Sequence, residues 1–212
     1  MASASIVPGM GIKGEVARLK RERIIDIAAE LFYARGYENT SLDAVAERMS
    51  VTKPFIYAHF ASKADLLAEI CARGIASALK ALDGVLEMPG TPTERLAEVG
   101  QRFVAAVLTS QRHIAIFTRE EKHLRADDYR RINDMRREFD RKLVRLLDEG
   151  VAAGEFHLHD TRMAALAIGG MVSWAYVWYR PEGRLTLEET SRELAALVLA
   201  MAGVRDPREA CS

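Results

Sequence analysis

The chain has 212 residues, of which 49% are hydrophobic, and its 30 basic residues balance its 30 acidic ones. This length and apolar content are sufficient for a buried core shared by one or two small domains. The balanced charge excludes a general nucleic-acid coat protein, so any affinity for DNA has to come from a local basic patch.

The composition also indicates the cellular compartment. Cys71 and Cys211 are too few and too far apart for a disulfide framework, which predicts free thiols in a reducing environment. No apolar run reaches the roughly 18 residues that a membrane-spanning helix needs. The N-terminal stretch lacks the apolar segment of a signal peptide. We therefore expect a soluble, cytoplasmic protein without a membrane partner.

Residues 1–20 are expected to form a flexible basic arm, because they begin with small residues and include Lys13 and Lys20. Such an arm can reach a DNA groove next to a DNA-binding domain, or it can serve only as a solubilising tail. The first helix is predicted from about Arg21 to Gly36, where the glycine ends it.

The stretch from Thr40 to Phe60, TSLDAVAERMSVTKPFIYAHF, is typical of two short helices joined by a tight turn. Apolar residues recur at i, i+3, i+4 and i+7 from Leu42, which predicts one amphipathic helix. Thr40 is its expected N-cap, with Asp43 completing a capping box. The turn is predicted at residues 50–51.

The second short helix is expected to start after Thr52, and its first turn tolerates Pro54 because the missing N–H would be unpaired there. Ile56 and Phe60 lie one turn apart and are expected to bury it against the first helix. The remaining side chains face outward: Lys53, Phe55, Tyr57, Ala58 and His59. Such side chains suit contacts with phosphates and base edges.

The run VTKPFIYAHFASKADLL resembles the helix-turn-helix of TetR-family transcriptional repressors, in which Tyr-x-His-Phe is followed by Ser/Asn-Lys-x-x-Leu. The resemblance implies a homodimer on a pseudo-palindromic, double-stranded DNA operator. Lys53 is the best candidate for contacting a guanine. The expected DNA contacts come from Thr40, Ser41, Thr52, Lys53, Pro54, Phe55, Tyr57, His59 and Lys63.

Two residues depart from the family pattern. Ser50 stands where the family usually has glycine, which costs stability if that residue needs a positive φ. Ala58 replaces a larger residue that often helps to read DNA, and Phe55 can be a packing residue instead of a thymine contact. Ala58 is the one feature that supports a structural or protein-binding helical dimer that has lost DNA binding, which a gel shift with the promoter DNA upstream of its own gene would test.

The rest of the chain has helical periodicity and no convincing strand, so the predicted fold is all-α with about nine helices. Ser62 is expected to cap a helix that runs to about Leu86, followed by a Pro/Gly-rich break. We expect the helix-turn-helix domain at 21–66 and a helical effector-binding and dimerisation domain at 67–205. Further helices are predicted at about 91–108, 113–124, 127–153, 160–179 and 186–202.

The segment MAALAIGGMVSWAYVWY is apolar on all sides, which indicates a helix that is buried or shared with another subunit. Pairing the last two helices across a two-fold axis would cover an apolar patch that monomers rarely expose. Gly169 and Gly170 permit close helix approach, although small residues are also common by chance in an Ala-rich helix. The TetR-family resemblance implies dimerisation through these same two helices.

The middle helices are expected to enclose a pocket for a small hydrophobic effector, although plain core packing explains each aromatic residue as well. The segment SWAYVWYRPEGRLTLEE is similar to one in TetR-family members that respond to acyl-coenzyme A thioesters. Arg119, Arg125 and Arg162 could then meet the phosphates of the ligand, or each of them could be a surface residue. The expected lining is Phe103, Phe117, Arg119, Met135, Phe139, Met171, Trp174 and Trp178.

His157 and His159 form the one compact group that resembles a metal site, but a single His-x-His without a third ligand is weak. Asp160 is better explained as a helix N-cap. We find no phosphate-binding loop and no nucleophile–base motif, so we expect no cofactor, no metal and no enzyme activity. The leading hypothesis is a ligand-responsive repressor; an activator and an all-helical enzyme or ligand carrier are the alternatives.

Overall fold

The computed structural model describes residues 12–204, and within them it contains nine α-helices, one short 3-10 helix and no strand, which confirms the all-α prediction. Two compact units divide the chain, one ending at Ile70 and the other beginning at Cys71. The helices are α1 Ile12–Arg35, α2 Leu42–Arg48, α3 Lys53–Tyr57, α4 Lys63–Leu86, α5 Pro92–Thr109, α6 Gln111–Glu120, α7 Ala126–Ala152, α8 Thr161–Trp178 and α9 Leu187–Met201, with the 3-10 helix at Glu121–His123.

Helix α1 is the long wall of the N-terminal unit. It begins at Ile12, so residues 12–20 are helical and not the flexible arm we expected, because no proline or glycine interrupts the helical run after its first turn. Arg21 fixes this part of the helix: its guanidinium lies 4.5 Å from the ring centre of Phe60 and 3.2 Å from a carboxylate oxygen of Glu69. Residues 1–11 of the expected arm, and Cys211, lie outside the described residues.

The core of the N-terminal unit follows the helical spacing of α1. The apolar side chains on its inner side are all buried: Ile24, Ile27, Ala28, Leu31 and Phe32. Ile56 of α3 and Phe60 are buried in the same unit, as predicted. Gly36 ends α1 with a φ of 83°, a conformation that side chains other than glycine rarely adopt.

Polar side chains cap helix starts in the C-terminal unit, as predicted for Asp160. Thr91 and Glu94 form a complete capping box before α5, and Thr186 and Glu189 form another before α9. The carboxylate of Asp160 accepts hydrogen bonds from two backbone N–H groups of α8. These polar ends fix where each helix begins, and therefore which of its sides faces the core.

Helices α5, α7, α8 and α9 build the core of the C-terminal unit. α5 and α9 approach closely at Gly100, where an added Cβ would lie 3.0 Å from the Cα of Ala195. A Cβ on Gly150 would lie 2.0 Å from the ring of Phe156, so only glycine fits there. Gln111 connects α6 to the end of α8, because its amide donates to the carbonyl oxygens of Tyr176 and Tyr179, each at 3.2 Å.

Candidate DNA-binding surface and effector cavity

The start of α2 differs from the prediction. Ser41 is the N-cap, and its hydroxyl accepts a hydrogen bond from the backbone N–H of Ala44 at 3.1 Å. Thr40 is buried, and its hydroxyl donates to the carbonyl oxygen of Gly36 at 2.9 Å. The expected capping box of Thr40 with Asp43 is therefore wrong, because Thr40 satisfies a carbonyl group at the end of α1 instead.

Helix α3 presents a polar, exposed side over a buried one. Thr52, Lys53, Pro54 and Tyr57 are exposed, and Tyr57 retains 47% of its accessible surface. Ile56 on the opposite side is fully buried. The outward placement of these predicted DNA contacts follows from the helical spacing around one buried anchor.

Phe55 and His59 are half-buried and lie against each other. Their ring centres are 5.3 Å apart in an edge-to-face arrangement, and the ammonium of Lys20 lies 5.6 Å from the Phe55 ring centre. Phe55 is thus partly a packing residue, which is the alternative that the sequence left open. His59 keeps part of its surface accessible.

Lys53 is paired within the protein. Its ammonium donates a hydrogen bond to a carboxylate oxygen of Asp43 at 2.8 Å, and both side chains remain largely exposed. The hydrogen bond to Asp43 is the main cause that raises the pKa of Lys53. Lys53 is therefore a fixed positive charge at neutral pH, with its position set by α2.

Lys63 also contacts its own unit. Its ammonium donates to the carbonyl oxygen of Tyr37 at 2.9 Å and lies 4.2 Å from the ring centre of that residue. The carbonyl oxygen of Glu38 is 3.4 Å away. An ammonium has three N–H donors, so one is left after these two contacts. Lys63 thus supports the loop between α1 and α2 in addition to any contact with DNA.

One concave surface gathers most of these polar groups. We call it the α2–α3 groove, with a volume of about 520 Å³. It contains five of the nine predicted DNA contacts, namely Thr40, Ser41, Lys53, Tyr57 and Lys63. Thr52, Pro54, Phe55 and His59 are not part of its lining. The groove also includes Asp43, which the sequence suggests only as a helix cap.

The C-terminal unit contains a cavity of about 280 Å³ between α4, α5, α6, α7 and α8. Phe103 and Phe139 line it as predicted, with ring centres 4.6 Å apart. Gly169 and Gly170 form part of the wall, and no atom lies within 4 Å of a Cβ added at either position. The wall is mainly apolar, with three polar side chains: Arg136, Asp140 and Ser173.

The other six predicted lining residues lie outside the cavity. Trp174 and Trp178 are exposed on α8, with 61% and 49% of their surfaces accessible. Met135 and Met171 are half-buried. Phe117 is buried beneath the guanidinium of Arg136, which is 4.2 Å from its ring centre. The prediction of these residues rests on composition, which does not tell which side of a helix is covered.

Arg119 and Arg125 contact neighbouring acidic groups and do not point into the cavity lining. Arg119 donates to the buried carboxylate of Glu120 at 3.1 Å, and Arg125 donates to Asp128 at 2.7 Å. Their expected role in binding ligand phosphates therefore has no support from their positions.

The polar residues of the cavity are not among the lining residues predicted from the sequence. Arg136 and Asp140 lie one turn apart on α7. The buried residues Ile132 and Phe139 lie at positions i and i+7 on one side of α7. Arg136 occupies position i+4 of the same side, where an apolar residue would be expected. A charged residue at such a position is a signal that this side of the helix meets something other than plain core. Burial raises the pKa of Asp140, and the charge of Arg136 partly opposes this effect.

An arginine-flanked groove of about 440 Å³ adjoins the cavity on α7 and α8. Asp140 and Leu166 line both, so the two spaces meet at these side chains. The guanidinium groups along this groove belong to Arg137, Arg141 and Arg162. Of these three, the sequence indicates Arg162 alone as a candidate for phosphate contacts.

The outer side of α8 is apolar and uncovered. Met163, Leu166 and Trp174 each keep about three-fifths of their surface accessible: 62%, 59% and 61%. Ala165, Ile168 and Val172 on the inner side are buried. Leu197 of α9 is also exposed, at 51%. Contiguous apolar surface of this kind marks an interaction site.

His157 and His159 are both exposed, and the backbone N–H of His157 donates to the carbonyl oxygen of Ala202 at 3.0 Å. In residues 12–204, no group of three or more His, Cys, Asp or Glu side chains is arranged to hold a metal ion. Over the same residues, no helix is both long and apolar enough to span a membrane.

Comparison with known families identifies the class of protein. The family described as bacterial regulatory proteins, tetR family, matches residues 24–70. The tetracyclin repressor-like, C-terminal domain family matches residues 89–202, which is more than half of the chain. The chain belongs to the TetR family of transcriptional regulators, and this family consists of regulators and not enzymes.

Its relatives include repressors and a ligand-bound regulator. The HTH-type transcriptional repressor KstR2 of Rhodococcus jostii (strain RHA1) is 27% identical over 183 residues, covering 85% of this chain and 89% of that protein. PfmR from Thermus thermophilus superposes with a TM-score of 0.76 at 28% identity, covering 84% and 97% of the two chains. AibR, solved with isovaleryl coenzyme A and operator DNA, superposes at 0.72 with 26% identity, covering 84% and 97%.

Proposed function

We propose that the protein is a cytoplasmic, homodimeric repressor that binds a pseudo-palindromic operator and leaves it when a largely hydrophobic effector, an acyl-coenzyme A, occupies the C-terminal unit. The observation that carries this proposal is the exposed polar side of α3, where Lys53 and Tyr57 stand over the buried Ile56. A positively charged, aromatic-bearing short helix in a helix-turn-helix is suited to enter the major groove.

DNA recognition divides between base and backbone contacts. Lys53 is the candidate for a base contact, because lysine donors match the two acceptors of guanine. Tyr57, His59 and Ser41 carry neutral donors that suit phosphate oxygens. Lys63 has one remaining N–H for a phosphate, so its contribution is expected to be smaller than that of a free lysine.

Dimerisation is supported by the uncovered apolar side of α8. Trp174, Leu166 and Met163 leave apolar side chains exposed on one side of α8, and exposed apolar patches often mark interaction sites. A two-fold axis beside α8 and α9 would cover the same patch on both subunits. The resulting pair of α3 helices would read half-sites about one helical turn, roughly 34 Å, apart.

The effector class is supported by the cavity and its neighbouring groove. A volume of about 280 Å³ is near the lower end of ligand pockets and accommodates an acyl group but not a whole coenzyme A. The arginine-flanked groove begins where the cavity ends and offers guanidinium groups, which suit phosphates. AibR was solved with isovaleryl coenzyme A, so a related regulator binds this kind of molecule.

Effector binding can act through α4. Gly74, Ile75 and Ala78 of α4 line the cavity, and the same helix begins at Lys63, next to the helix-turn-helix. An effector that favours one position of α4 would change the populations of DNA-competent and DNA-incompetent dimers. A differential affinity of about 3 kcal/mol is enough to lower operator binding by more than 100-fold.

A titration of purified protein into duplex DNA from the region upstream of its own gene tests the proposal. We expect a specific complex with Kd near 10⁻⁸ M or tighter. Tyr57→Phe should weaken binding to every duplex, whereas Lys53→Ala should relax specificity at one base pair. Lys80→Ala removes the same charge from an exposed position on α4 and should have no effect.

The effector is tested in the same assay. Isovaleryl coenzyme A and longer acyl-coenzyme A thioesters should release the operator, and free coenzyme A or the free acids should not. Specific binding without release by any thioester would reject the effector class and leave the repressor assignment intact. No binding above that to random duplex would favour the alternative of a structural helical dimer.

A further inference from the structure

Asp43 places a carboxylate in the α2–α3 groove. It lies in the first turn of α2, and one of its oxygens is 2.8 Å from the ammonium of Lys53. More than half of each side chain is exposed, 59% for Asp43 and 54% for Lys53. The groove that contains both residues also contains Tyr57 and Ser41, two of the predicted DNA contacts.

Stability does not account for this pair. An exposed ion pair contributes only about 0–1 kcal/mol, and solvent and salt screen most of its attraction. Ser41 already caps α2, so the first turn does not depend on Asp43. Opposite a polyanionic duplex, an exposed carboxylate also opposes binding through charge repulsion.

We propose that Asp43 is a specificity-determining residue for the operator, an inference that rests on the proposed DNA-binding function. Asp43 holds the Lys53 ammonium in one position and neutralises most of its attraction for phosphates. Lys53 keeps two N–H donors, which match O6 and N7 of guanine. The second oxygen of Asp43 is then available to accept a hydrogen bond from N4 of cytosine. Together the two side chains read a G·C pair.

The expected consequence is a difference between specific and general binding. Without Asp43, Lys53 becomes an ordinary mobile cation that any phosphate attracts, so random duplex gains affinity. The operator gains less, because the lost base contact offsets the removed repulsion. The ratio of the two affinities therefore falls, although binding itself becomes tighter on random DNA.

The experiment uses the full-length dimer and two duplexes. One is the tightest ligand selected by the wild-type protein from a random library of about 30 base pairs, which is long enough for two half-sites. The other has the same composition in scrambled order. Fluorescence anisotropy gives Kd for both duplexes at several salt concentrations. Thermal melts establish that each variant is folded.

The variants separate charge from position. Asp43→Asn is nearly isosteric and removes the carboxylate. Glu47→Gln makes the same charge change at an exposed position of α2 outside the groove, and is the matched control. Lys53→Ala alone and with Asp43→Asn completes a double-mutant cycle.

Asp43→Asn should lower the ratio of operator affinity to scrambled-duplex affinity by about tenfold. On scrambled DNA it should also increase the slope of log affinity against log salt concentration by up to about one, because one more counterion is released. Glu47→Gln should change neither quantity. In the Lys53→Ala background, Asp43→Asn should lower the ratio by less than it does in the wild type, because only the cytosine contact is then lost. An unchanged ratio in Asp43→Asn, or an equal loss on both duplexes, would overturn the proposal. A wild-type protein that does not prefer its selected duplex would instead overturn the proposed function.

Discussion

The α2–α3 groove and the cavity of the C-terminal unit are built in opposite ways. The groove is polar and open, and its lining comes from one continuous stretch, residues 38–63. The cavity is mainly apolar, and its lining extends from Gly74 to Ser173 over five helices. The first is a local structure with a few fixed charges, and the second is a space left where several long helices meet.

This difference suggests how the two proposed ligands are recognised. A DNA duplex has a fixed shape, and short helices with buried anchors such as Ile56 can hold donors in fixed positions against it. An effector fills whatever volume the helices leave, so its size is set by small residues such as Gly169. Changes at one region should therefore affect one ligand, unless they reach the dimer or α4.

The largest expected effect comes from breaking the dimer, on which the reading of two half-sites depends. Trp174→Glu places a charge in the proposed interface. A hot-spot aromatic contributes about 2 kcal/mol and occurs twice across a two-fold axis, so we expect dimer dissociation to increase by roughly 1000-fold. Analytical ultracentrifugation measures this directly.

The control for that variant is Tyr129→Glu, which changes an exposed aromatic residue on α7 in the same way. It should remain dimeric and bind the operator as the wild type does. A Trp174→Glu protein that stays dimeric would place the interface elsewhere, and the exposed side of α8 would then need another partner.

The two regions also differ in how far the sequence determines them. In the helix-turn-helix, helical spacing around Ile56 is enough to predict that Lys53 and Tyr57 are exposed, but not that Phe55 is half-buried. The same reasoning fails for Lys63, since its bond to the carbonyl of Tyr37 depends on a loop that folds back from 26 positions away. Helical spacing also does not tell whether Thr40 or Ser41 is the N-cap of α2, because both threonine and serine cap helices.

The cavity is harder to predict, because its lining is set by tertiary packing. Phe103 and Phe139, which the sequence proposes for the lining, do line the cavity. Trp174 and Trp178 lie outside it, because α8 is apolar on all sides and its sequence does not tell which side the other helices cover. The sequence does not indicate Asp140 as a lining residue, because a charged residue on an amphipathic helix is usually exposed to solvent.

The next largest effect should distinguish effector binding from DNA binding. Gly169→Val puts a branched side chain into the cavity, where no atom lies within 4 Å of the added Cβ. The fold should tolerate it, because valine has a better helix propensity than glycine. We expect acyl-coenzyme A to bind about tenfold more weakly, a loss of ~1.4 kcal/mol, with operator affinity unchanged. Isothermal titration calorimetry measures the thioester affinity.

Gly84→Val is the matched control, because Gly84 lies in another helix, α4, and is not part of the cavity lining. A Cβ there meets only the guanidinium of Arg102, at 3.5 Å. Equal effector affinity in Gly169→Val and wild type would show that the effector binds outside this cavity.

A smaller effect concerns the turn that positions α3. Among residues 12–204, Ser50 is the one residue other than glycine with a positive φ, 55°. Ser50→Gly removes steric strain from the folded state, and the greater entropy of the unfolded glycine chain offsets only part of this gain. We therefore expect the free energy of unfolding to rise by about 0.5–1 kcal/mol. Urea denaturation gives this value, and Ser50→Ala, which keeps the strain, should show no gain.

The smallest effect concerns Asp140, the titratable group shared by the cavity and the arginine-flanked groove. Burial raises its pKa above the ordinary value of 3.8, so the folded protein binds this proton more tightly than the unfolded chain does. Its contribution to stability is therefore present at low pH and is lost as the pH rises above 3.8 through the raised pKa.

Asp140→Asn removes the ionised form, so the variant should be slightly more stable than wild type at pH 7. The gain should shrink as the pH falls through the raised pKa towards 3.8, because the wild-type carboxyl becomes protonated over that range. Asp134→Asn changes an exposed carboxylate on the same helix and should show no such gain. A stability gain that did not depend on pH would mean that packing, and not charge, distinguishes the two side chains.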